Sequence, residues 1–365
     1  MSTMRRKVSG EVPEALRLAR SIWPRTAGGT RHARRVQVRG PSEGRVVREI
    51  ALEGSTERTA RGIGVARDGS LRVSAGGQLV AIERAAVVAW SVEIASKRAR
   101  KVVSAPAVLD DGSCVITCGR AVCFVDAHGA VRGRIELEVG LDDSGPAPNV
   151  TPDGALIVTC PTGEVIRIDA DGARELGAFG YDVVAPAIDD EGAMYVAGYA
   201  GRGAVCLEPD GRVRWRGGAR DADMLATVRA TGESAFGVVN DGRTVFIARD
   251  GSQLGAYGAA GGCGELSGGD WALVAQDRVA RVDARGVARW ERALVLPSLH
   301  WGGLGPVIDR DDRLAVPTLE GVELLDARNG SVVAAVALGE PPIDLAMIAE
   351  GRVAVLLATR LVIID

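Results

Sequence analysis

The sequence predicts an all-β fold, an eight-bladed β-propeller of four-stranded blades whose ring is closed by an N-terminal strand, with a short N-terminal helical arm. Three observations lead to this prediction. One unit of about 40 residues recurs along the chain. Asp-Gly and Asn-Gly turns separate short apolar runs within the units, and glycine suits such hairpin turns because it tolerates positive φ. The chain has 48 glycines but only six Trp, four Tyr and four Phe, which indicates many turns around an aliphatic core.

The repeat is clearest when two copies are compared. The copy at 104–129 has the runs SAPAVLDDGSCVI and GRAVCFVDAHG, and the copy at 184–215 repeats the same order of apolar runs and Gly turns. Four short strands in about 40 residues is the strand count of a propeller blade. A ring buries the apolar faces of each such unit between two neighbours. The glycine of the first turn recurs every 37 to 43 residues, at Gly69, Gly112, Gly154, Gly192, Gly232, Gly269 and Gly351, with Asp312 in its place in the seventh copy.

The predicted domains are a basic N-terminal arm at 1–35 with a short helix and a single propeller at 36–365. The eighth unit ends after a third strand, and residues 44–52 (GRVVREIAL) resemble the fourth strands of other units. We therefore expect 44–52 to complete the last blade. The predicted blades lie at 60–97, 104–138, 146–179, 183–219, 224–258, 263–295, 301–339 and 342–365.

The arm differs from the ring in charge, since residues 1–35 contain nine basic and two acidic residues. Pro13 is suited to the first turn of a helix, and the apolar positions from Ala15 through Leu18 to Ile22 have helical spacing. Three interpretations stay open: a helix docked on the acidic propeller, a segment offered to another protein, or an arm that binds nucleic acid.

Two connectors between blades are candidates for contact with a partner. The run at 97–101 is basic, and it is either a solvated loop or a site for an acidic or nucleic-acid partner. His300 and Trp301 form an aromatic pair that either anchors an interface or packs over the ring. The candidate partner-binding residues are Lys97, Arg98, Arg100, Lys101, Leu18, Ile22, His300 and Trp301.

The sequence offers little that suggests catalysis. It has three histidines and no G-x-S-x-G, H-E-x-x-H or P-loop string. The six cysteines stand singly in apolar runs, which predicts buried free thiols and no metal site. No apolar run reaches the length of about 18 residues that a membrane helix needs. The first residues carry no apolar signal segment or lipobox, and we therefore expect a cytoplasmic protein.

The repeats resemble those of the PQQ-like β-propeller family, whose units end in Gly-x-Val/Leu-x-Ala-Leu-Asp-x-x-Gly-x-x-x-Trp. Residues 77–90 (GQLVAIE to Trp90) match this pattern well, and 23–32 (WPRTAGGTRH) look like the lead-in of bacterial members. The resemblance implies the fold, while the family's functions include quinone-dependent dehydrogenases, outer-membrane assembly lipoproteins and cytoplasmic scaffolds. The dehydrogenases carry a vicinal disulfide and a calcium ion. This chain has no Cys-Cys pair, so we expect neither PQQ nor another cofactor.

The expected function is a non-catalytic protein-interaction scaffold, a cytoplasmic propeller subunit of a larger bacterial assembly. Similar propellers are encoded beside AAA-type ATPases and von Willebrand A-domain proteins, which suggests such partners by resemblance. We expect no membrane partner, and the acidic ring argues against nucleic acid. The alternative is an enzyme or small-ligand-binding propeller of the lactonase or lyase type, with a site at the central channel.

Overall fold

The structure, a computed structural model of the 365-residue chain, contains only β-strands as regular elements in its described residues. Those residues are 6–10, 16–17, 20, 35–95, 103–141, 148–180, 186–197, 204–217, 222–228, 236–240, 242–259, 261–275, 277–294 and 305–365. Within them there is no helix, and hence none with the length and hydropathy needed to cross a membrane.

The strands are numbered in chain order and form eight sheets. Two strands precede the repeated units: β1 (Arg6–Gly10) and β2 (Val46–Ala51). Sheet one contains β3 (Gly62–Val65), β4 (Leu71–Ala75), β5 (Gln78–Ile82) and β6 (Val88–Glu93). Sheet two contains β7 (Ala107–Val108), β8 (Cys114–Cys118), β9 (Ala121–Val125) and β10 (Val131–Leu137). Sheet three contains β11 (Asn149–Val150), β12 (Leu156–Thr159), β13 (Glu164–Asp169) and β14 (Gly172–Ala178). Sheet four contains β15 (Ala187–Ile188), β16 (Met194–Val196), β17 (Ala204–Leu207) and β18 (Val213–Gly217).

The second half of the chain repeats this order. Sheet five contains β19 (Ala222–Val228), β20 (Phe236–Asn240), β21 (Arg243–Ile247) and β22 (Gln253–Tyr257). Sheet six contains β23 (Gly261–Glu265), β24 (Trp271–Ala275), β25 (Arg278–Val282) and β26 (Ala288–Ala293). Sheet seven contains β27 (Val307–Ile308), β28 (Arg313–Thr318), β29 (Gly321–Asp326) and β30 (Val332–Ala337). Sheet eight contains β31 (Asp344–Ala349), β32 (Arg352–Leu356) and β33 (Arg360–Ile364), together with β2.

Two sheets take a strand from the N-terminal part of the chain. Sheet eight has the order β2-β33-β32-β31, with Ile50 opposite Leu361. Arg45 and Asp365 extend this ladder by exchanging two backbone hydrogen bonds of 3.0 Å. Sheet two has the order β1-β10-β9-β8-β7 and therefore five strands. All the strand pairs within the sheets are antiparallel, as expected for strands joined by tight turns.

The prediction of eight four-stranded blades with a helical arm is wrong. In the part of the chain that the structure describes, seven blades have four strands, and the remaining sheet has five because the arm supplies β1. The described residues of the predicted helix are not helical either. Leu16 N donates to Gly154 O (3.0 Å), and Arg17 O accepts from Asp110 N (2.9 Å). These backbone groups bond to turns of the ring, and a short isolated helix is too unstable to compete with such tertiary contacts.

The hydrophobic core lies between the sheets. Every apolar cluster of more than two residues combines side chains of adjacent sheets. Ile116 of sheet two clusters with Leu79 of sheet one, and Phe246 of sheet five clusters with Trp271 of sheet six. One cluster spans sheets seven, eight and one and includes the buried Ile63. The first strand of sheet one, β3, contacts the first strands of both sheet eight and sheet two. The sheets therefore form a closed ring around their first strands, with their fourth strands on the outside.

Turns between the first and second strands and between the third and fourth strands occupy one side of the ring, which we call the turn face. The first group includes 66–70, 109–113, 151–155, 189–193, 266–270 and 309–313. Aspartates stabilise many of these turns by accepting backbone N–H groups two residues ahead, as Asp111 Oδ1 does from Ser113 N (2.9 Å). The adjacent aspartates at 110–111, 189–190 and 311–312 thus lie in turns of this face.

Tryptophans of fourth strands attach neighbouring sheets to one another. Trp290 Nε1 donates to Ala327 O (2.7 Å) in the turn of the next sheet, and its ring lies against Gly330. A Cβ at Gly330 would lie 2.8 Å from Trp290 Cε3. The glycine is therefore required by the packing as well as by its φ of +73°. Equivalent contacts join Trp90 to Ala127 and Gly129, and Trp215 to Arg249 and Gly251.

We predict that Gly330→Ala lowers the free energy of unfolding by about 3 kcal/mol, because the methyl group would overlap the Trp290 ring as well as strain the backbone. Gly339→Ala is the matched control: Gly339 has a φ of +76°, and no atom lies within 4 Å of its added Cβ. Its cost should be only about 1 kcal/mol, the cost of the backbone conformation alone. Denaturant unfolding measures both values, and equal losses would contradict the tryptophan contact.

Candidate functional site

The partner-binding residues predicted from the sequence all lie outside the described residues, so each of them stays a prediction. They are Lys97, Arg98, Arg100, Lys101, Leu18, Ile22, His300 and Trp301. The described residues instead contain three contacts that the chain before β2 makes with the rest of the ring. These contacts show how the surface of the propeller binds extended chain.

The first contact is made by residues 35–40, which we call the strap. It crosses the turn face over sheets seven and eight. Val36 N donates to Ile308 O (2.9 Å), and Arg310 N donates to Val38 O (2.9 Å). Val36 is buried in the core cluster that joins sheets seven, eight and one. The strap is thus part of the packed ring.

Charge complements these backbone contacts. Arg35 Nη2 lies 3.2 Å from Asp312 Oδ1, and both side chains are less than a fifth exposed, 18% and 19%. Partial burial strengthens this pair relative to an exposed one, since water screens it less. Further strap contacts join Arg39 Nε to Asp311 Oδ2 (2.8 Å) and Gly40 N to the buried Asp309 Oδ2 (2.8 Å). A basic segment is therefore held by aspartates of the turn face.

Asp312 stands where the other copies have the glycine of the first turn, and its contacts explain this exception. Its φ of +60° lies in the left-handed region that glycine adopts at this position in every other copy that the structure describes. A non-glycine residue in this backbone conformation costs on the order of 1–3 kcal/mol of stability, and it persists only where contacts with the surroundings compensate for that cost. Its carboxylate accepts from Ser267 N (3.1 Å) and from the Ser267 hydroxyl, and it also pairs with Arg35. Asp312 consequently links sheet six, sheet seven and the strap, which a glycine could not do.

The second contact lies across the ring, between sheets two and three. Leu16 is buried in the cluster that these sheets share, next to Leu109 and Leu156. Arg20 N donates to Asp110 Oδ1 (3.1 Å), and Arg20 Nε lies 3.7 Å from Asp110 Oδ2. The basic arm therefore meets acidic turns here as well.

The third contact is the pairing of β1 with β10 on the outer edge of sheet two. Arg6 lies opposite Leu137, and Gly10 lies opposite Gly133. An outer strand presents unpaired N–H and C=O groups along one side, and an added antiparallel strand satisfies them. This arrangement is β-strand addition, a common mode of peptide recognition, made here within one chain.

Part of this arrangement had a signal in the sequence. The strap alternates Arg35, Val36, Gln37, Val38 and Arg39, and a period of two indicates an extended segment with one buried face. The β1 segment RKVSG has no such pattern. Its position depends on an edge more than 120 residues away, at Gly133–Leu137, which local sequence does not reveal.

The described polar groups point to structural roles. Burial raises the pKa of Cys114 to about 12 and that of Cys123 to about 11, so both thiols stay protonated near neutral pH and are poor nucleophiles. Tyr195 donates its hydroxyl to the buried Asp189 Oδ2 (3.0 Å), and burial raises the pKa of Tyr195. No three His, Cys, Asp or Glu residues are grouped for metal binding among the residues that the structure describes.

Two arginines that precede third strands have their charge balanced by carboxylates. Arg278 makes a bidentate contact with Asp277 (2.9 and 2.8 Å) and lies 3.3 Å from Glu291. Arg360 lies 3.3 Å from Glu340. These arginines stabilise the face opposite the turn face, and their pairing reduces any attraction for an anionic ligand.

Comparison with known proteins identifies the class of fold. No protein-family model and no curated protein matches the sequence. Solved structures do match over most of the chain. A europium-containing methanol dehydrogenase has a TM-score of 0.69 at 12% identity, covering 91% of this chain and 88% of that one. BamB from Moraxella catarrhalis has a TM-score of 0.63 at 15% identity, covering 88% and 99%.

A virginiamycin B lyase from Staphylococcus aureus is similar at a lower level, with a TM-score of 0.51 and 12% identity over 87% of this chain and 98% of that chain. At these identities the likeness concerns the fold alone. It supports a PQQ-like β-propeller, in agreement with the resemblance carried by the repeats. The protein is thus an all-β propeller.

We predict that Arg35→Ala increases the rate of tryptic cleavage after Arg39 about tenfold, because cleavage requires the strap to leave the turn face and a charge-assisted hydrogen bond that holds it is lost. Arg45→Ala is the control, since the Arg45–Asp365 pair is 3.3 Å long but the arginine is 68% exposed. An exposed pair contributes little, so cleavage after Arg39 should change less than about threefold. Equal acceleration by both variants would show that the Arg35–Asp312 pair does not hold the strap. Peptide mass spectrometry follows the cleavage.

Proposed function

We propose that the protein is a non-catalytic protein-interaction propeller that binds an extended segment of a partner as an added strand on the outside of the ring. The pairing of β1 with β10 carries this proposal. It supports the idea that an outer strand of this propeller has the geometry to accept a further antiparallel strand. The bonds are made by backbone, so the mode is open to many sequences.

The composition of the outer strands supports the same interpretation. Five of the eight described fourth strands begin with a valine that is between 36% and 46% exposed. Such residues give an added strand apolar surface to pack on, beyond its backbone hydrogen bonds. The exposed aliphatic residues in or beside these strands are Val46, Val47, Val87, Val88, Val131, Val213, Leu254, Val287, Val332 and Val333.

Polar side chains of the first strands bond to neighbouring sheets. This favours a structural role for the inside of the ring over a lactonase-like or lyase-like site in the channel. Asn149 Nδ2 donates to Pro186 O (2.8 Å) of the next sheet. Asp344 Oδ2 accepts from Ile63 N (2.9 Å) and so joins sheet eight to sheet one. Both side chains are buried and bond to the neighbouring sheet, which is a contribution to ring stability.

The setting of this function is also proposed. We place the protein in the cytoplasm as a subunit of a larger bacterial assembly, with AAA-type ATPase or von Willebrand A-domain proteins as partners. This part of the proposal is supported by the family resemblance of the repeats.

Strand addition is tested by removing residues 1–10, which should expose the edge of β10. A labelled peptide with the sequence of residues 1–12 should then bind the shortened protein saturably, with an affinity at least about tenfold higher than for the full chain, where β1 occupies the edge. Fluorescence anisotropy measures both affinities.

The control peptide carries proline at both Lys7 and Val8. Neighbouring residues of a strand alternate in hydrogen bonding, so one of these two must donate to β10, and proline has no N–H. The control should not bind. Equal binding of both peptides, or binding that is the same for the shortened and full chains, would contradict strand addition.

A further inference from the structure

The outer strand of sheet seven differs in composition from every other fourth strand that the structure describes. The β30 strand has the sequence VVAAVA and contains only Val and Ala. Proteins usually protect an exposed edge strand with charged residues, which oppose pairing with another chain. Each of the other fourth strands contains at least one charged or polar side chain, such as Arg48 in β2, Glu93 in β6, Arg134 in β10, Arg174 in β14, Arg214 in β18, Gln253 in β22 and Glu291 in β26.

The apolar side chains of β30 are largely in contact with solvent. Val332 is 40% exposed and Val333 is 42% exposed, and Ala335 and Ala337 are exposed as well. The strand has no charge, no proline and no glycine, and its valines favour the β conformation. Short segments with these properties pair readily with one another when their edges are free.

The exposed surface continues onto the next sheet of the ring. A Cβ at Gly44 would lie 2.8 Å from Ala334 Cβ, so the chain that leads into β2 runs directly against β30. Val46 and Val47 follow at once and are each 36% exposed. The apolar patch therefore comprises the starts of two adjacent outer strands, with β30 at its centre.

We infer that two copies of the chain associate through β30, pairing antiparallel about a twofold axis at Ala334. This register places Val333 of each copy opposite Ala335 of the other and joins two four-stranded sheets into one of eight strands. An uncharged strand is self-complementary in this arrangement, because no like charges meet. The pairing of β1 with β10 is the precedent within the chain for an outer strand that accepts an antiparallel neighbour.

The charges that flank β30 fit the same arrangement. Antiparallel pairing brings the start of each strand next to the end of the other, so Arg328 of one copy lies near Glu340 of the second. The Arg328 side chain is 80% exposed and bonds Asp326, while Glu340 bonds Arg360. A further attraction between exposed charges contributes mainly to orientation and little to affinity.

The contact is small, since it involves one six-residue strand and a few valines from each copy. Standard complexes bury about 1,600 Å², and smaller interfaces belong to weak associations. We therefore place the dissociation constant in the micromolar range. The pairing also uses the β30 edge of both copies, so association stops at the dimer.

Sedimentation velocity over a series of micromolar concentrations tests the inference. The sedimentation coefficient of the full chain should rise towards that of a dimer. Val333→Lys places a charge on the edge of both copies and should weaken the dimer at least about 100-fold, so that the variant sediments as a monomer throughout.

Val88→Lys is the matched control, because Val88 lies at the start of the outer strand of sheet one and is 44% exposed. It should dimerise like the unchanged chain. Thermal unfolding checks that each variant is folded, and Ala335→Lys replaces Val333→Lys if that variant is not.

A monomer at every concentration, growth beyond the dimer, or a dimer that survives both β30 substitutions would overturn the inference. Loss of the dimer in Val88→Lys to the same extent would also overturn it. The inference is independent of the proposed strand addition of a partner, since residues 1–10 are present in every sample.

Discussion

The structure depends on the burial of both faces of every sheet. A four-stranded sheet of this composition has two apolar faces, and only a neighbour on each side removes them from water. The C-terminal residues supply three strands of sheet eight, and β2 supplies the fourth. The contact between β2 and β33 joins residues more than 300 positions apart, such as Val46 and Ile364. It lets sheet eight pack against sheet one, where the core cluster contains Ile63.

The position of β2 fixes the chain that precedes it. Because β2 belongs to sheet eight, the strap must reach it over the turn face, where aspartates meet its arginines. Asp312 makes this contact from a left-handed backbone conformation, which is unfavourable for a residue other than glycine. Two outer edges differ from the rest among the described residues: β10, which β1 occupies, and β30, which carries neither charge nor added strand. These differences between similar sheets determine where the surface can bind another chain.

The all-β character of the fold has local signals in the sequence, although the prediction of eight four-stranded blades is wrong. Asp-Gly turns and alternating apolar runs are these signals, and the similarity of 44–52 to other fourth strands indicates a strand where the structure has β2. The arm is different. Its helical spacing does not predict its structure, because Leu16, which is outside the expected stripe, is the residue that the ring buries. The fifth strand of sheet two depends on the tertiary edge of β10. None of the predicted partner-binding residues is among the described residues. The contacts of the strap and the exposed surface of β30 depend on tertiary packing, so the sequence alone does not reveal them.

Hydrogen exchange measured for single amides tests ring closure most directly. If β2 is a structural strand of sheet eight, those of its amides at 46–51 that donate to β33, and the amides of β33 at 360–364, should exchange only through global unfolding and with the same free energy. Fast exchange of every amide in 46–51 beside protected amides in 344–356 would mean that the ring holds without this strand and that the account is wrong.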